Sequence, residues 1–325
     1  MAGSSPAEGI PTSVARILVT GAAGFIGPAL CPALVARGHD VVAGLRRRLG
    51  APPPGTTPVV LGEIDPATDW GGALRGVETV IHLAQRAHAG PDPAVLAHEP
   101  ASVAALVRGI AAHGGHRLVL VSSVKALGEA TPPGRPFRAN DTPHPEDDYG
   151  RAKLASERAA TAAAQEAGIE LVVVRPPLVY GPGVRANFAA LIRLAGSGLP
   201  LPFAAIDNRR SFIFRDNLAD LLAVAATHPA AVGMTLLARD DDEFSTPALI
   251  RALAAGLGRE ARLFPIPPAL FAAMRVLPGL GPRLARLTLS LQVDDSATRA
   301  ALGWHPPISA ADGIAATART FASAL

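Results

Sequence analysis

The sequence predicts an α/β fold, in which a doubly wound parallel sheet is followed by a smaller C-terminal lobe. Six short apolar runs are separated by connections, and the longer connections carry helical spacing and end at glycine. The runs are RILVTG, DVVAGL, TPVVLGEI, ETVIHLA, HRLVLVSS and ELVVVRPP. Strands that are apolar throughout and alternate with helices are typical of a parallel sheet covered on both faces. Right-handed crossovers between them give the doubly wound arrangement.

The composition excludes several classes of protein. The 325 residues carry a net charge of +3 and scattered arginines, which argues against a nucleic-acid partner. A single cysteine, Cys31, excludes an internal disulfide framework, and the histidines lack ligand spacing, so we expect no metal. No apolar run reaches transmembrane length, and the opening residues do not resemble a signal peptide. We therefore expect a cytoplasmic protein without a membrane partner and with a flexible leader over residues 1–14.

A glycine-rich turn follows the first predicted strand. VTGAAGFIG places Gly21, Gly24 and Gly27 between that strand and the first helix. Glycine there permits a tight turn, close approach of a pyrophosphate and close packing of helix on sheet. The free N–H groups of the helix start would face the phosphate charge, and Pro28 suits a first helical turn. Glycines alone also make ordinary turns, but in this strand–turn–helix context they predict a dinucleotide-binding loop.

The character of the sequence changes near residue 176. Prolines become frequent, and short helical pieces alternate with charged loops. We therefore expect residues 15–175 to form the dinucleotide-binding domain. Residues 176–325 would form mainly a substrate-binding lobe over the carboxyl ends of the strands, where ligands bind in open parallel sheets.

The segment YGRAK sets Tyr149 and Lys153 one turn apart on a predicted helix. Residues four apart share a face on every helix, so the pair alone has an ordinary structural explanation. The alternative is a proton-transfer pair. Free tyrosine has a pKa of about 10, and a nearby ammonium favours the phenolate and would lower that pKa.

Taken together, these motifs resemble those of the extended short-chain dehydrogenase/reductase family, which includes the NAD-dependent epimerases and dehydratases. The glycines have the spacing G-x-x-G-x-x-G, and further markers follow in the family's order over most of the chain. They are VIHLA at 80–84, VSS at 121–123, the Tyr149/Lys153 pair, RPPLVYGPG at 175–183 and RRSFIFRDNLADLL at 209–222. The resemblance implies a Rossmann domain and a homodimer.

The resemblance also implies that Ser123, Tyr149 and Lys153 are the catalytic residues. Tyr149 would give or take a proton during hydride transfer, and Lys153 would lower its pKa and hold the cofactor ribose. Ser123 would hydrogen-bond the reacting oxygen, while Ser122 would be an ordinary strand-end hydroxyl. His82 would be a buried, satisfied imidazole and not a catalyst.

The resemblance further implies a nicotinamide dinucleotide, with NADP(H) favoured and NAD(H) as the alternative. NAD-selective members carry an acidic residue at the end of the second strand, where this chain has Leu45 followed by Arg46. A guanidinium can bind a 2′-phosphate, although residues 46–48 could instead form a solvated turn. The family's cofactor contacts correspond to Gly21, Gly24, Phe25, Ile26, Gly27, Arg46, Glu63, Ile64, Leu83, Ala84, Tyr149, Lys153, Pro176 and Leu178.

In the C-terminal half, GPGVRANF and DNRRSFIFRDN resemble the branch that handles nucleotide-activated sugars, the 4-epimerases and UDP-4-keto-6-deoxyhexosamine 4-reductases. Asn187, Arg209 and Arg210 would bind the nucleotide and its diphosphate, because a guanidinium can hold two phosphate oxygens together. Two places depart from this branch. Glu99 stands where many members have an asparagine near the cofactor, and Leu178 replaces another asparagine.

The sequence therefore predicts an oxidoreductase that acts on a nucleotide-activated sugar. The favoured reaction is NADPH-dependent reduction of a 4-keto sugar nucleotide in surface-polysaccharide or glycan precursor synthesis, because Leu45 and Arg46 suit an enzyme that exchanges NADPH. The alternatives are an NAD-retaining UDP-sugar 4-epimerase, a reductase of a non-sugar carbonyl, and a dinucleotide sensor without enzymatic activity.

Overall fold

The computed structural model describes residues 14–48, 52–84, 93–132, 134–276, 279 and 281–323. All of the predicted leader except Val14 lies outside them. Within these residues the strands are β1 (Arg16–Thr20), β2 (Asp40–Leu45), β3 (Thr56–Val60), β4 (Thr79–His82), β5 (Arg117–Val121), β6 (Glu170–Arg175), β7 (Leu178–Tyr180), β8 (Phe212–Phe214) and β9 (Thr235–Leu237). The helices are α1 (Gly27–Ala36), α2 (Pro93–Ala112), α3 (Asp148–Ala167), α4 (Ala186–Ala195), α5 (Arg215–Thr227), α6 (Thr246–Gly256), α7 (Pro268–Met274), α8 (Gly281–Thr288), α9 (Ser296–Leu302) and α10 (Ala310–Ala322).

The main sheet has seven strands in the order β3-β2-β1-β4-β5-β6-β9, and every pairing in it is parallel. All six apolar runs of the sequence form strands of this sheet, which confirms the predicted doubly wound fold. The strand order reverses between β1 and β4. The connections that leave these two strands run in opposite directions, so a crevice opens at their carboxyl ends.

Each face of the sheet has its own hydrophobic core, because successive side chains of a strand point to opposite faces. In β1, Ile17 and Val19 enter the core built with α1 and α5, whereas Leu18 enters the core built with α2 and α3. Cys31 is fully buried in the first of these cores. Both faces are therefore covered by helices, as the unbroken apolar strands predict.

Three elements of the C-terminal half return to this sheet. Strand β9 pairs with β6, α5 packs against α1, and α9 contacts β9 and contributes Leu302 to the core on that face. The remaining C-terminal elements surround the short parallel pair β7–β8 and a third core. The region after residue 175 is thus divided between the sheet layer and the smaller lobe.

A buried carboxylate joins the lobe to the sheet. Asp240 is fully buried and accepts a hydrogen bond of 2.7 Å from the Tyr180 hydroxyl. It also accepts hydrogen bonds from the Phe214 backbone N–H at 3.1 Å and from the Asn217 amide at 2.8 Å. Because a buried charge must be matched by donors, this network fixes how β7, β8 and α5 meet.

Helix α3 is fixed at both ends and in the middle. Asp147 caps its start by accepting a hydrogen bond of 2.7 Å from the Gly150 N–H, and Gly168 ends it in the left-handed conformation. Midway, the Glu157 carboxylate receives two hydrogen bonds, of 2.9 and 2.6 Å, from the guanidinium of Arg175 on β6. Both of these side chains are only 7% exposed. The helix that carries YGRAK is therefore tied to the sheet by a buried ion pair.

Glu157→Ala should lower the free energy of unfolding by about 3–5 kcal/mol, because it leaves the Arg175 guanidinium buried without its partner. Asp40→Ala is the matched control, since the Arg16–Asp40 ion pair has a similar distance of 2.7 Å but is 39% and 47% exposed. Asp40→Ala should lower the free energy of unfolding by no more than about 1 kcal/mol. Urea unfolding measures both values, and equal losses would contradict the assignment of α3's attachment to Glu157.

Candidate active site

A cavity of about 1490 Å³ opens at the carboxyl ends of β1, β4, β5 and β6. The glycine-rich turn lies on one side of it, and α4 with the rest of the smaller lobe lies on the other. Ligand pockets for single small molecules usually measure about 300–1,000 Å³. This cavity therefore has room for a dinucleotide and a second ligand.

The glycine-rich turn leaves space that side chains would fill. Gly21 has a φ of +70°, and a Cβ there would lie 3.0 Å from the backbone nitrogen of Ala84. A Cβ on Gly27 would lie 2.1 Å from the carbonyl oxygen of Ala22. Helix α1 begins at Gly27 with proline in its first turn, and no side chain caps its start. Such a cradle fits the pyrophosphate of a dinucleotide.

At the end of β2 a cation and a carboxylate meet. Leu45 is buried, and Arg46, which follows it, forms an ion pair with Glu63. Arg46 and Glu63 are both exposed and line a side recess of about 600 Å³ together with Arg47 and Arg185. The guanidinium that the sequence proposed as a ligand of a 2′-phosphate is therefore paired with a carboxylate, which neutralises part of its positive charge.

The two lysines of the chain flank one tyrosine ring. Lys153 Nζ lies 5.2 Å and Lys125 Nζ 5.9 Å from the centroid of the Tyr149 ring, and every other strongly basic residue of the chain is arginine. Tyr149 and Lys153 project into the cavity from successive turns of α3. Ser123, at the end of β5, hydrogen-bonds the Tyr149 hydroxyl. The predicted catalytic residues are therefore brought together at one place.

Burial dominates the electrostatics of this cluster. It lowers the pKa of Lys153, which is 2% exposed, to about 8, and the nearby Glu99 and Glu157 carboxylates oppose that shift. It also raises the pKa of Tyr149, and the charge of Glu99 raises it further, while the Ser123 hydrogen bond lowers it. The sequence-based expectation that the pair lowers the pKa of Tyr149 does not hold for the protein alone. Desolvation of the phenolate outweighs the effect of the neighbouring ammonium.

His82 is buried, as predicted. Its Nδ1 lies 2.9 Å from the Thr20 hydroxyl oxygen, and that oxygen also accepts a hydrogen bond from the Ala84 backbone N–H. Burial and the charge of Lys153 lower the pKa of His82 to about 3. The imidazole is therefore neutral at the bottom of the cavity and has a structural role there.

Sequence reasoning missed the charged groups that surround the pair. Lys125 Nζ forms ion pairs of 2.6 Å with Glu129 and 2.7 Å with Asp147, and all three residues line the cavity. The scarcity of lysine was a signal that could have pointed to Lys125. Glu99 had been noted only as a departure from a family pattern, and the structure places it 3.8 Å from Lys153.

The far end of the cavity is lined by arginines. Burial lowers the pKa of Arg210 to about 10, the nearby Glu129 opposes this, and the nearby Arg286 adds to it. Arg210 donates a hydrogen bond of 3.0 Å to the Leu289 carbonyl, which orients the guanidinium. Two close arginines in a partly buried site are suited to a diphosphate.

Most, but not all, of the predicted ligand contacts line the cavity. Those that do are Ser123, Asn187, Arg210 and all the predicted cofactor residues except Gly27, which packs beneath the turn. Arg209 does not line it and is exposed. Arg209 and Arg210 lie in an extended segment bridged to Phe244 and Leu291, so their side chains point in opposite directions. Of the two neighbouring arginines that the sequence predicted, only Arg210 lines the cavity, and Arg286 lines it as well.

The described residues contain no group of three or more histidine, cysteine, aspartate or glutamate side chains placed to hold a metal ion. They also contain no helix that is both long and apolar enough to cross a bilayer.

The chain is similar to known proteins in both sequence and fold. The family model for the NAD dependent epimerase/dehydratase family matches residues 17–235. The chain is 37% identical over 315 residues to UDP-glucose 4-epimerase of Vibrio cholerae, covering 95% of this chain and 96% of that protein. It is 31% identical to 2-alkyl-3-oxoalkanoate reductase of Stenotrophomonas maltophilia (strain K279a), over 75% of this chain and 76% of that one. Among solved structures, MoeE5 in complex with UDP-glucose and NAD matches with a TM-score of 0.75 and 25% identity, covering 95% and 99% of the two chains.

Gly27→Ala should destabilise the protein by about 1–3 kcal/mol, because its Cβ would force the start of α1 away from Ala22. The displaced N–H groups would lose charge-assisted hydrogen bonds to phosphate, so dinucleotide affinity should fall about tenfold or more. Gly72→Ala is the control, since a Cβ there meets nothing within 4 Å. Thermal unfolding and calorimetric titration with NAD measure both effects, and a Gly27 variant that behaves like the control would contradict the cradle.

Proposed function

The chain belongs to the NAD-dependent epimerase/dehydratase family, as its motifs predicted, and we propose that it is an NAD-retaining 4-epimerase of UDP-sugars. The observation that carries the proposal is the similarity to UDP-glucose 4-epimerase over nearly the whole of both chains. The Ser123–Tyr149–Lys153 cluster at the edge of the sheet supports the same chemistry. This proposal replaces NADPH-dependent reduction of a 4-keto sugar, which the sequence had favoured, with the alternative that it had left open.

The cluster supplies the proton transfer that the reaction needs. Oxidation at C4 breaks the O–H bond of the sugar hydroxyl and its C4–H bond, and forms a ketone. Tyr149 takes the hydroxyl proton and returns it when the ketone is reduced on its other face, while the Ser123 hydroxyl holds the reacting oxygen. A bound nicotinamide supplies reversible acceptance of the hydride. Lys153 is placed to stabilise negative charge on the Tyr149 oxygen whenever that oxygen is deprotonated.

The cofactor end of the cavity supports NAD more than the sequence suggested. Gly21 and Gly24 would admit the pyrophosphate, and Lys153 would contact the ribose nearest the nicotinamide. Glu63 can accept hydrogen bonds from the hydroxyls of the other ribose and would repel a 2′-phosphate. A retained NAD suits an epimerase, because the hydride removed in the first half of the cycle is returned in the second.

The opposite end of the cavity supports a nucleotide diphosphate as the substrate's anchor. Arg210 and Arg286 supply two adjacent guanidinium groups, and Asn187 adds amide donors near the start of α4. An uncharged, apolar substrate would give these groups no anion to bind.

The homodimer that the family resemblance implies remains a prediction.

A 4-keto sugar nucleotide reductase that uses NADPH remains the second candidate. Arg46 and Arg47 support it, because both line the recess beside β2, where a 2′-phosphate would lie. The two candidates differ in net cofactor use, which absorbance of the reduced nicotinamide measures directly.

The first test compares the purified protein with its Tyr149→Phe variant. The parent should contain bound NAD and convert UDP-glucose to UDP-galactose with no net change in reduced cofactor. Tyr149→Phe should fold and bind NAD normally, but its turnover should fall by about a hundredfold or more, because the proton acceptor is gone. Consumption of added NADPH by the parent with a 4-keto sugar nucleotide, and no epimerisation, would favour the reductase instead.

The second test uses the two neighbouring arginines. Arg210→Met should weaken UDP-sugar binding by about 2 kcal/mol, roughly thirtyfold, because a charge-assisted contact to the diphosphate is lost. Arg209→Met removes the same charge one residue away, outside the cavity, and should change the affinity less than about twofold. Calorimetric titration with UDP measures both, and equal effects would argue against Arg210 as a phosphate ligand.

A further inference from the structure

Glu99 lies at the Tyr149–Lys153 pair but belongs to a different helix. It projects from α2, whereas Tyr149 and Lys153 are on α3, and the two helices pack side by side against the sheet. The Glu99 side chain is 11% exposed and lines the cavity, and its Oε2 lies 3.8 Å from Lys153 Nζ. A carboxylate this close to a buried ammonium acts on it directly, because little water screens the interaction.

Two carboxylates among the described residues act on the Lys153 ammonium, and they act with different strength. Glu157, one turn further along α3, receives two hydrogen bonds from the Arg175 guanidinium. Glu99 forms an ion pair with Lys153, and its charge opposes the effect of burial on the pKa of Lys153 more than the charge of Glu157 does. Removal of Glu99 should therefore change the charge balance at Lys153 more than removal of Glu157.

The charge of Glu99 affects both members of the pair in the same direction. It opposes the effect of burial on Lys153, whose pKa is lowered to about 8, and it adds to the effect of burial on Tyr149, whose pKa is raised. The signs agree because a negative charge favours the protonated form of any neighbouring group. Without Glu99, Lys153 would lose its proton at lower pH, and so would Tyr149.

We propose that Glu99 is a positioning residue for the catalytic pair. Its carboxylate keeps the Lys153 ammonium charged and held beside Tyr149, and it thereby sets the upper end of the pH range in which the enzyme works. The proposal rests on the proposed 4-epimerase activity for its kinetic consequence. Its electrostatic part concerns the protein alone and can be measured without turnover.

Other charged or titratable groups face the pair from each element around it. Among the described residues they include His82 at the end of β4, His98 on α2, Lys125 and Glu129 after β5, and Asp147 and Glu157 at and along α3. His82 is neutral because burial lowers its pKa to about 3. Asp147 is held by Lys125 at 2.7 Å, and its effect on Tyr149 is smaller than that of Glu99. Among these described groups, Glu157 also acts on Lys153, and its effect is smaller than that of Glu99.

The scarcity of lysine makes the test direct. Full-length protein grown with isotope-labelled lysine should give two side-chain ammonium resonances, from Lys125 and Lys153, which Lys125→Arg would assign. In Glu99→Gln the Lys153 titration midpoint should fall by about one pH unit or more below the parent's value, while the Lys125 midpoint stays in place. The alkaline limb of the pH–rate profile for UDP-glucose conversion should move to lower pH by the same amount.

Glu166→Gln is the matched control, because it removes one carboxylate from an exposed position at the far end of α3. This variant should leave the titration midpoints of Lys125 and Lys153 and the pH–rate profile unchanged. If Glu99→Gln does not fold, Glu99→Asp withdraws the charge by one carbon–carbon bond and should give a smaller shift of the same sign.

A folded Glu99→Gln protein with an unchanged Lys153 midpoint would overturn the proposal, even if its rate fell. So would an unchanged midpoint in Glu99→Asp, where only that variant folds. If the parent shows no epimerase activity but the Lys153 midpoint shifts as expected, the proposed function fails and the electrostatic role of Glu99 stands.

Discussion

The proposed active site requires an ammonium group that stays charged inside the protein. Lys153 is 2% exposed, and a charge taken out of water is tolerated only where partners compensate it. The partners come from separate parts of the chain: Glu99 from α2, and Glu157 from α3 with its own counterion Arg175 from β6. The Glu157–Arg175 contact that fixes α3 to the sheet thus also influences the charge beside Tyr149, so stability and the proposed catalysis share these residues.

This arrangement explains why lysine is used at the tyrosine and arginine elsewhere. Lysine is a compact cation whose pKa shifts readily on burial, whereas arginine stays protonated and its planar fork suits phosphates and carboxylates. Lys153 and Lys125 flank the tyrosine ring, while Arg210 and Arg286 lie at the substrate end. In the proposed mechanism, one end of the cavity therefore exchanges protons and the other binds an anion.

Features that depend on local sequence were predictable. The six strands follow from their apolar runs, and the glycine turn follows from its place between a strand and a helix. The contacts that depend on tertiary packing were not predictable: Glu99 meets Lys153 only because α2 packs against α3, and nothing in the local sequence gives that distance. The opposite directions of the Arg209 and Arg210 side chains were also not predictable. They follow from the extended backbone of this segment, which is held by single bridges to distant residues and carries no apolar pattern. Similarly, β9 is three residues long and joins the sheet through pairing with β6, which its own sequence does not specify.

The central claim is that a hydride leaves C4 of a UDP-sugar and returns to the same carbon on the opposite face. The most direct measurement uses UDP-glucose carrying deuterium at C4, incubated with the purified protein without added cofactor. The account predicts UDP-galactose that retains the deuterium at C4, with none released to water. Loss of the label to solvent, or its transfer to an added pool of oxidised cofactor with accumulation of a keto sugar, would contradict it.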